Sequence, residues 1–239
     1  TNGISMVAML TAVLALSVLT GCAHRQPTIA HVHVGHALTG AHDTPAKNGY
    51  FVVAELRAEE ALKYAEQAGR EDTLAGIQAN IDRVVELSDS EEHFGVRHAL
   101  SEAGHHLDFA AMSADVSENI KQSVEGFNRD LDAVLERCDL IRVLGNDVKA
   151  ATVREEGKVL ANEILLLVRA NNFGEDANGD GVVGSTPAGY GLVQLRKELQ
   201  AIVDREDPPY QPVDRWYLFN LVRLPSGEWV FQQFGGYGY

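Results

Sequence analysis

The chain has 239 residues, enough for one domain with an extension or for two small domains with a well-buried core. Hydrophobic residues make up 45% of the sequence and charged residues 23%, which is typical of a folded protein and excludes the collagen-like and disordered classes. The 34 acidic side chains outnumber the 20 basic ones, and the net charge of −14 argues against nucleic acid as a partner, because phosphate backbones attract basic surfaces.

The first 22 residues have the pattern of a secretory signal followed by a lipid attachment site. Residues 4–20 are apolar except for hydroxyl side chains, and this run is shorter than a typical transmembrane helix. The sequence Leu19-Thr20-Gly21-Cys22 follows and resembles the lipobox of bacterial lipoproteins, in which the Cys is diacylated after the preceding peptide is removed. We therefore expect a signal peptide over residues 1–21 and a lipid on Cys22.

The resemblance to lipoproteins implies a location. It implies attachment to a membrane of the cell envelope through the lipid, and Ala23 implies the periplasmic face of the outer membrane, because Asp at that position favours inner-membrane retention in this family. No Lys or Arg precedes Arg25, so we expect the positively charged start of the signal to lie upstream of Thr1. An uncleaved N-terminal anchor is the alternative, and it also places residues 23–239 outside the cytoplasm.

Residues 22–49 are expected to form the lipid anchor and a His-rich tether. They are rich in His, Gly, Thr and Pro, and apolar residues alternate over 29–34, which predicts an extended segment or a strand.

Residues 50–204 are predicted to form an all-α, up-and-down helical bundle. Apolar residues recur every three or four positions in segments separated by short loops, which favour antiparallel neighbours. The clearest pattern begins at Val116 and is expected to end at Gly145-Asn146. Asp89 or Ser90 is expected to cap the N terminus of the predicted helix 91–112. The other predicted helices span residues 51–68, 72–88, 91–112, 148–170 and 188–204.

Cys138 lies in the apolar seam of one of these predicted helices. If Cys22 carries a lipid, Cys138 has no disulfide partner in the chain, since these are the two cysteines. We therefore expect Cys138 to be a buried free thiol that packs as a small hydrophobic side chain.

A loop between the last two predicted helices carries the ligand spacing of a calcium site. Over residues 176–187, oxygen donors occupy alternate positions and Gly181 permits the sharp turn. The segment resembles the first two-thirds of EF-hand and dockerin loops, which implies Ca²⁺ binding. Pro187 stands where those families carry a bidentate acid, so we expect the calcium binding to be weak and structural; a metal-free turn is the alternative. The predicted ligands are Asp176, Asn178, Asp180 and the main-chain carbonyl of Val182.

All nine histidines lie between residues 24 and 106. Two belong to the alternating segment and a third lies just beyond Gly35. Two more share one face of the predicted helix 91–112 with a glutamate, because their spacings are 4 and 3. Imidazoles are suitable ligands for Zn²⁺ or Cu²⁺. We expect His24 and His106 to be solvent-exposed. The candidate transition-metal ligands are His31, His33, His36, His98, Glu102 and His105.

Residues 205–239 are predicted to form a linker and an aromatic β-hairpin. Residues 205–214 are rich in Pro and acidic side chains, and 8 of the 17 aromatic residues lie in 216–239. The sequence Leu224-Pro225-Ser226-Gly227-Glu228 between two aromatic runs predicts a hairpin turn. A lone hairpin is marginally stable, so we expect it to pack on the bundle or on an envelope protein partner.

These patterns favour a non-catalytic binding module of the cell envelope that captures a transition metal or a protein partner. The first alternative is a metal-dependent hydrolase in which His31, His33 and His105 hold zinc and Glu102 acts as general base on a bound water. The second is a structural interaction lipoprotein without a transition metal, whose aromatic hairpin is the contact surface. A filled coordination sphere indicates a carrier, whereas a hydrolase leaves a position for water.

Overall fold

A computed structural model describes residues 28–207 and 209–210, together with the backbone of three short strands near the C terminus. This part of the chain is mostly helical, as predicted. The helices are α1 (Ile29–Leu38), α2 (Tyr50–Arg70), α3 (Leu74–Asp89), α4 (Val96–Met112), α5 (Glu118–Asp130), α6 (Asp132–Ala150), α7 (Arg154–Phe173) and α8 (Leu192–Asp204), with 3₁₀ turns at Pro45–Lys47 and Pro187–Gly189.

The three strands pair antiparallel in the order β1 (Tyr217–Leu218), β2 (Leu221–Arg223) and β3 (Trp229–Phe231). The predicted turn at 224–228 lies outside the described residues. The aromatic hairpin and its packing partner therefore stay predictions.

The helices enclose two clusters of buried apolar side chains. One cluster joins α1, the first half of α2, α4, α5 and α8, and the other joins the second half of α2 with α3 and α7; α6 contributes to both. The buried face of α2 is built from small side chains at helical spacing, which let several helices pack closely around it. These side chains are Ala54, Ala58, Ala61, Ala65 and Ala68.

The extended segment predicted for residues 29–34 is wrong, because these residues belong to α1. Ala30, Val34 and Ala37 recur at helical spacing, and each is at most 1% exposed where α1 packs against α4. Over only six residues, strand-like alternation and a helical stripe are hard to distinguish, and burial of one helical face decides between them.

The N terminus of α1 is fixed by two side chains. Thr28 caps the helix by accepting a hydrogen bond from the main-chain nitrogen of His31 at 3.0 Å. Asp115, from the loop after α4, accepts from the main-chain nitrogens of Ile29 at 2.7 Å and Ala30 at 3.1 Å. A carboxylate at this end also interacts favourably with the helix dipole.

The long helix predicted from Val116 to Gly145-Asn146 is wrong at its middle and its end. It is interrupted at Leu131, between α5 and α6, and α6 continues to Ala150. Gly145 lies inside α6 and does not end the helix. A Cβ at this position would clash with Val85 of α3, so the glycine permits close packing of the two helices. The end is set by α3, where the Gln78 side chain donates to the carbonyls of Val148 and Ala151.

The helix predicted over 91–112 begins five residues later, at Val96. The expected cap Ser90 instead closes a tight turn, in which its hydroxyl accepts from the His93 nitrogen and its carbonyl accepts from the Gly95 nitrogen. The helix predicted over 148–170 begins at Arg154, since α6 extends into its first residues.

Cys138 is a buried free thiol, as predicted. Burial raises its pKa to about 12, so the side chain stays protonated and unreactive. None of the helices in the described part of the chain is both long and apolar enough to cross a bilayer. The predicted signal peptide and Cys22 lie outside the described residues.

Candidate metal centre

Three histidine side chains meet between α1 and α4. A ligand nitrogen of each of His33, His36 and His106 lies within 4.8 Å of those of the other two, and all three residues are half-buried. The Nδ1 atoms of His33 and His106 are 3.3 Å apart. Nitrogens around a tetrahedral zinc ion are about 3.3 Å apart, given a Zn–N distance of about 2.0–2.1 Å. The His33–His106 pair already has this spacing, and a ligand nitrogen of His36 lies within 4.8 Å of both.

The helices place these side chains through simple spacing rules. His33 and His36 are three residues apart on α1, so they lie on the same side of the helix, next to the face that packs on α4. His106 lies three residues after Ala103 and four before Ala110, both of which belong to the buried face of α4. Its ring therefore emerges at the α1–α4 contact.

Aromatic side chains surround the three imidazoles. Tyr50 stacks on His106 with ring centroids 5.1 Å apart, and Phe109 lies 5.5 Å from His33 and 6.0 Å from His106. The Tyr50 hydroxyl donates a 2.7 Å hydrogen bond to Asp43. These contacts hold the rings in place and partly exclude water.

The surroundings favour the neutral form of two of the imidazoles, His33 and His106. Burial lowers the pKa of His33, and burial followed by the nearby His36 and His33 lowers the pKa of His106 to about 4. A metal binds the neutral ring through its lone pair, so these two ligands need not lose a proton at neutral pH.

The Asp43–Tyr50 pair adds a negative charge beside this cluster. Burial alone would raise the pKa of Asp43, but the hydrogen bond from Tyr50 and a main-chain hydrogen bond outweigh it, so the net pKa is lowered. Burial and the Asp43 hydrogen bond raise the pKa of Tyr50, which keeps its phenol protonated. Asp43 is thus a carboxylate that attracts a cation to the site.

The structure brings together two of the six predicted ligands and separates the other four from them. His31 points to the opposite side of α1, where its Nε2 lies 2.8 Å from Glu206. His105 is exposed and lies 3.4 Å from Glu102, while the ring of His98 lies against Phe94. These four residues do not belong to the cluster.

His106, expected to be exposed, is instead the third member of the cluster, and that prediction was wrong. The signal was present in the sequence. Ala99, Ala103, His106 and Ala110 follow spacings of 4, 3 and 4, which place His106 on the buried face of the helix. The spacing of the polar residues His98, Glu102 and His105 instead favours a different face of the helix.

The predicted calcium ligands lie in an exposed loop between α7 and α8. The Asp176 carboxylate accepts hydrogen bonds from the main-chain nitrogens of Asp180 at 3.0 Å and Gly181 at 2.9 Å. Asp180 accepts from the Val182 nitrogen at 2.8 Å and from the Asn178 amide at 3.0 Å. Gly181 has a φ of +84°, so it supplies the left-handed turn. Calcium binding itself stays a prediction.

Two carboxyl groups also face each other where α5 meets α8. Asp130 is 8% exposed and lies against the half-buried Glu198. Burial raises the pKa of both groups, and for Glu198 the neighbouring Asp130 raises it further. Glu198 therefore donates its proton to Asp130 when it is protonated, and the pair repels when both are ionised.

We expect Glu198→Gln to stabilise the protein by about 0.5–1 kcal/mol at pH 7.5, with a smaller gain at pH 5, after allowing for solvent exposure. A carboxyl whose folded-state pKa is raised contributes stability below its unfolded pKa and loses it as the pH rises through the folded value. Gln donates to Asp130 at every pH. Thermal unfolding at both pH values checks this result against Glu125→Gln, an exposed change on α5; equal effects of the two variants would contradict it.

No protein family, curated protein or solved structure was found to match this chain. The geometry of the site is therefore the basis for inferring a function.

Proposed function

We propose that this protein is an exported, membrane-anchored bacterial lipoprotein that binds a transition metal ion, Zn²⁺ or Cu²⁺, without catalysing a reaction. The metal ligands are His33, His36 and His106. The observation that supports this most directly is the meeting of three half-buried imidazoles with their ligand nitrogens within 4.8 Å.

The chemistry of the cluster favours a metal over a purely structural role. His33 and His106 are 3.3 Å apart between their Nδ1 atoms, a distance that a shared metal ion would also give. A metal uses a lone pair from each ring, and imidazole nitrogen suits Zn²⁺ and Cu²⁺. The lowered pKa of His106 favours the neutral ring that a metal binds, and the Asp43 carboxylate nearby attracts a cation.

The position of Glu102 favours binding over hydrolysis. A hydrolase of the kind considered above needs Glu102 as a base on metal-bound water. Its carboxylate lies in contact with His105 on the exposed side of α4, and Glu102 does not belong to the ligand cluster.

The site can be tested by zinc titration of the full chain with His106→Gln, and with the adjacent His105→Gln as a matched control. We expect one zinc per chain, a loss of affinity of roughly 100-fold or more in His106→Gln, and no change in His105→Gln. Even a side chain that only supports a ligand contributes about 10- to 100-fold. Isothermal titration with elemental analysis measures this; wild-type protein without stoichiometric zinc, or equal binding by both variants, would refute the proposal.

The location and the remaining architecture belong to the same proposal. Lipid on Cys22 anchors the protein at the periplasmic face of the outer membrane, the helices follow an up-and-down order, and the aromatic hairpin of residues 216–234 contacts an envelope partner. The lipobox at 19–22 supports the anchoring.

The proposal includes weak calcium binding at Asp176, Asn178, Asp180 and the carbonyl of Val182. With a Kd of about 1 mM, calcium at about 10 mM would stabilise the fold by about 1.4 kcal/mol. We expect Asp176→Ala to abolish this rise in melting temperature, while the exposed change Asp147→Ala on α6 leaves it unchanged. Thermal unfolding with calcium or with equal magnesium measures it; an undiminished rise in Asp176→Ala would place the ion elsewhere.

A further inference from the structure

The histidine cluster supplies fewer protein ligands than a zinc ion uses. In the part of the chain that the structure describes, the cluster has three members, His33, His36 and His106. Tetrahedral zinc has four ligands, and sites with three protein ligands hold water or another small molecule in the fourth position.

The carboxylates nearest to the cluster are engaged elsewhere. Asp43 accepts the hydroxyl of Tyr50 at 2.7 Å, and Glu102 lies 3.4 Å from the exposed His105. Each would have to give up its contact in order to reach a metal. Asp43 also orders Tyr50, which in turn stacks on His106, so moving Asp43 would disturb a ligand.

The surroundings select which small molecules fit. Phe109 borders His33 and His106, and its side chain is 51% exposed, so the cluster has an apolar edge that solvent reaches. The Asp43 carboxylate and the net charge of −14 repel multiply charged anions. An apolar edge also disfavours ions that hold their water tightly.

We infer that a metal ion held by His33, His36 and His106 keeps one position for an exchangeable ligand, which is water that a small monoanion displaces. The inference rests on the proposed metal binding and adds the ligand class to it. An open position supports hydrolysis only with a base beside the bound water, and Glu102, the base considered above, does not belong to the cluster. Exchange releases one water as one anion enters, with no change in the oxidation state of the metal.

Cobalt(II) titrated into the full chain tests this, because its visible absorption reports the ligands around the ion. We expect a cobalt spectrum that shifts and saturates with one azide per metal, and a much weaker response to sulfate at equal ionic strength. His105→Gln should behave as wild type.

The outcomes separate this inference from the proposed function. If cobalt and zinc both fail to bind, the metal-site proposal fails. If cobalt binds but its spectrum is unchanged by azide, a protein side chain fills the fourth position; the metal site then stands and the exchangeable position is refuted. Equal responses to azide and sulfate would refute the selectivity for small monoanions.

Discussion

Glu206→Ala is expected to lower the free energy of unfolding by about 3–5 kcal/mol, because it removes the one acceptor shared by three side chains. Glu206 is buried, and one of its oxygens lies 2.8 Å from Nε2 of His31. The other oxygen accepts from the hydroxyl of Ser117 at 2.7 Å and from the Asn119 amide. Without the carboxylate, His31 and Ser117 lose this acceptor in a part-buried site, whereas the Asn119 amide keeps the Ile202 carbonyl at 2.8 Å.

The same change is expected to weaken zinc binding by roughly 10-fold, as loss of a supporting residue does in known metal sites. The contact with Glu206 fixes α1, and α1 carries His33 and His36. Chemical denaturation in the presence of a chelator measures the stability, and zinc titration measures the affinity. The exposed neighbour Asp207 provides the control: Asp207→Ala should change neither quantity, and a Glu206→Ala variant as stable as this control would contradict the assignment.

Glu206 shows why the sequence predicts the helices better than the contacts between them. Most helices follow from apolar residues that recur at three and four positions, and this signal is local. Glu206 falls in the segment predicted as an acidic linker, yet its partner His31 is 175 residues away. A buried contact between residues so far apart in the sequence leaves no periodic pattern in either segment. The same reason explains the end of α6, which Gln78 of α3 determines.

The sequence predicts two of the three residues of the candidate site, His33 and His36, but not His106. The sequence predicts His33 and His36 as ligands because histidines are concentrated within a few residues there, and this concentration does not depend on secondary structure. An extended conformation groups His31 with His33, and this grouping is wrong because the segment is helical. In α1 the spacing of three groups His33 with His36 and turns His31 to the other side. The helical period of this segment therefore corrects the assignment of His31, whereas the position of His106 follows from the buried face of α4.

The buried side chain of Arg137 is the centre of a second hydrogen-bond network. It is 5% exposed on α6, and its guanidinium donates to the side chains of Asn171 at 3.0 Å and Glu175 at 2.9 Å. It also donates to the main-chain carbonyl of Tyr190. Glu175 and Tyr190 stand at the two ends of the calcium-type loop, so one side chain ties both ends to α6 and α7.

Arg137→Met is expected to destabilise the protein by about 3 kcal/mol, at the lower end of the range for breaking a buried charged network. Met fills most of the volume but donates no hydrogen bond, so Asn171 and the Tyr190 carbonyl lose their donor. The cost stays at the lower end because Glu175 is about half exposed and can turn to water. Lys149→Met is the control on the same helix, since Lys149 is largely exposed.

Urea unfolding measures the difference, and a fall in the midpoint at constant slope would assign the loss to the native state. Because the ends of the loop are then less restrained, the calcium-dependent rise in melting temperature should also shrink in Arg137→Met and stay unchanged in Lys149→Met. If Arg137→Met and Lys149→Met are equally stable, the favourable energy of the Arg137 contacts only offsets the cost of removing these groups from water. The restraint on the loop would then have to come from its main-chain hydrogen bonds, such as that from Glu175 to the Gly189 carbonyl.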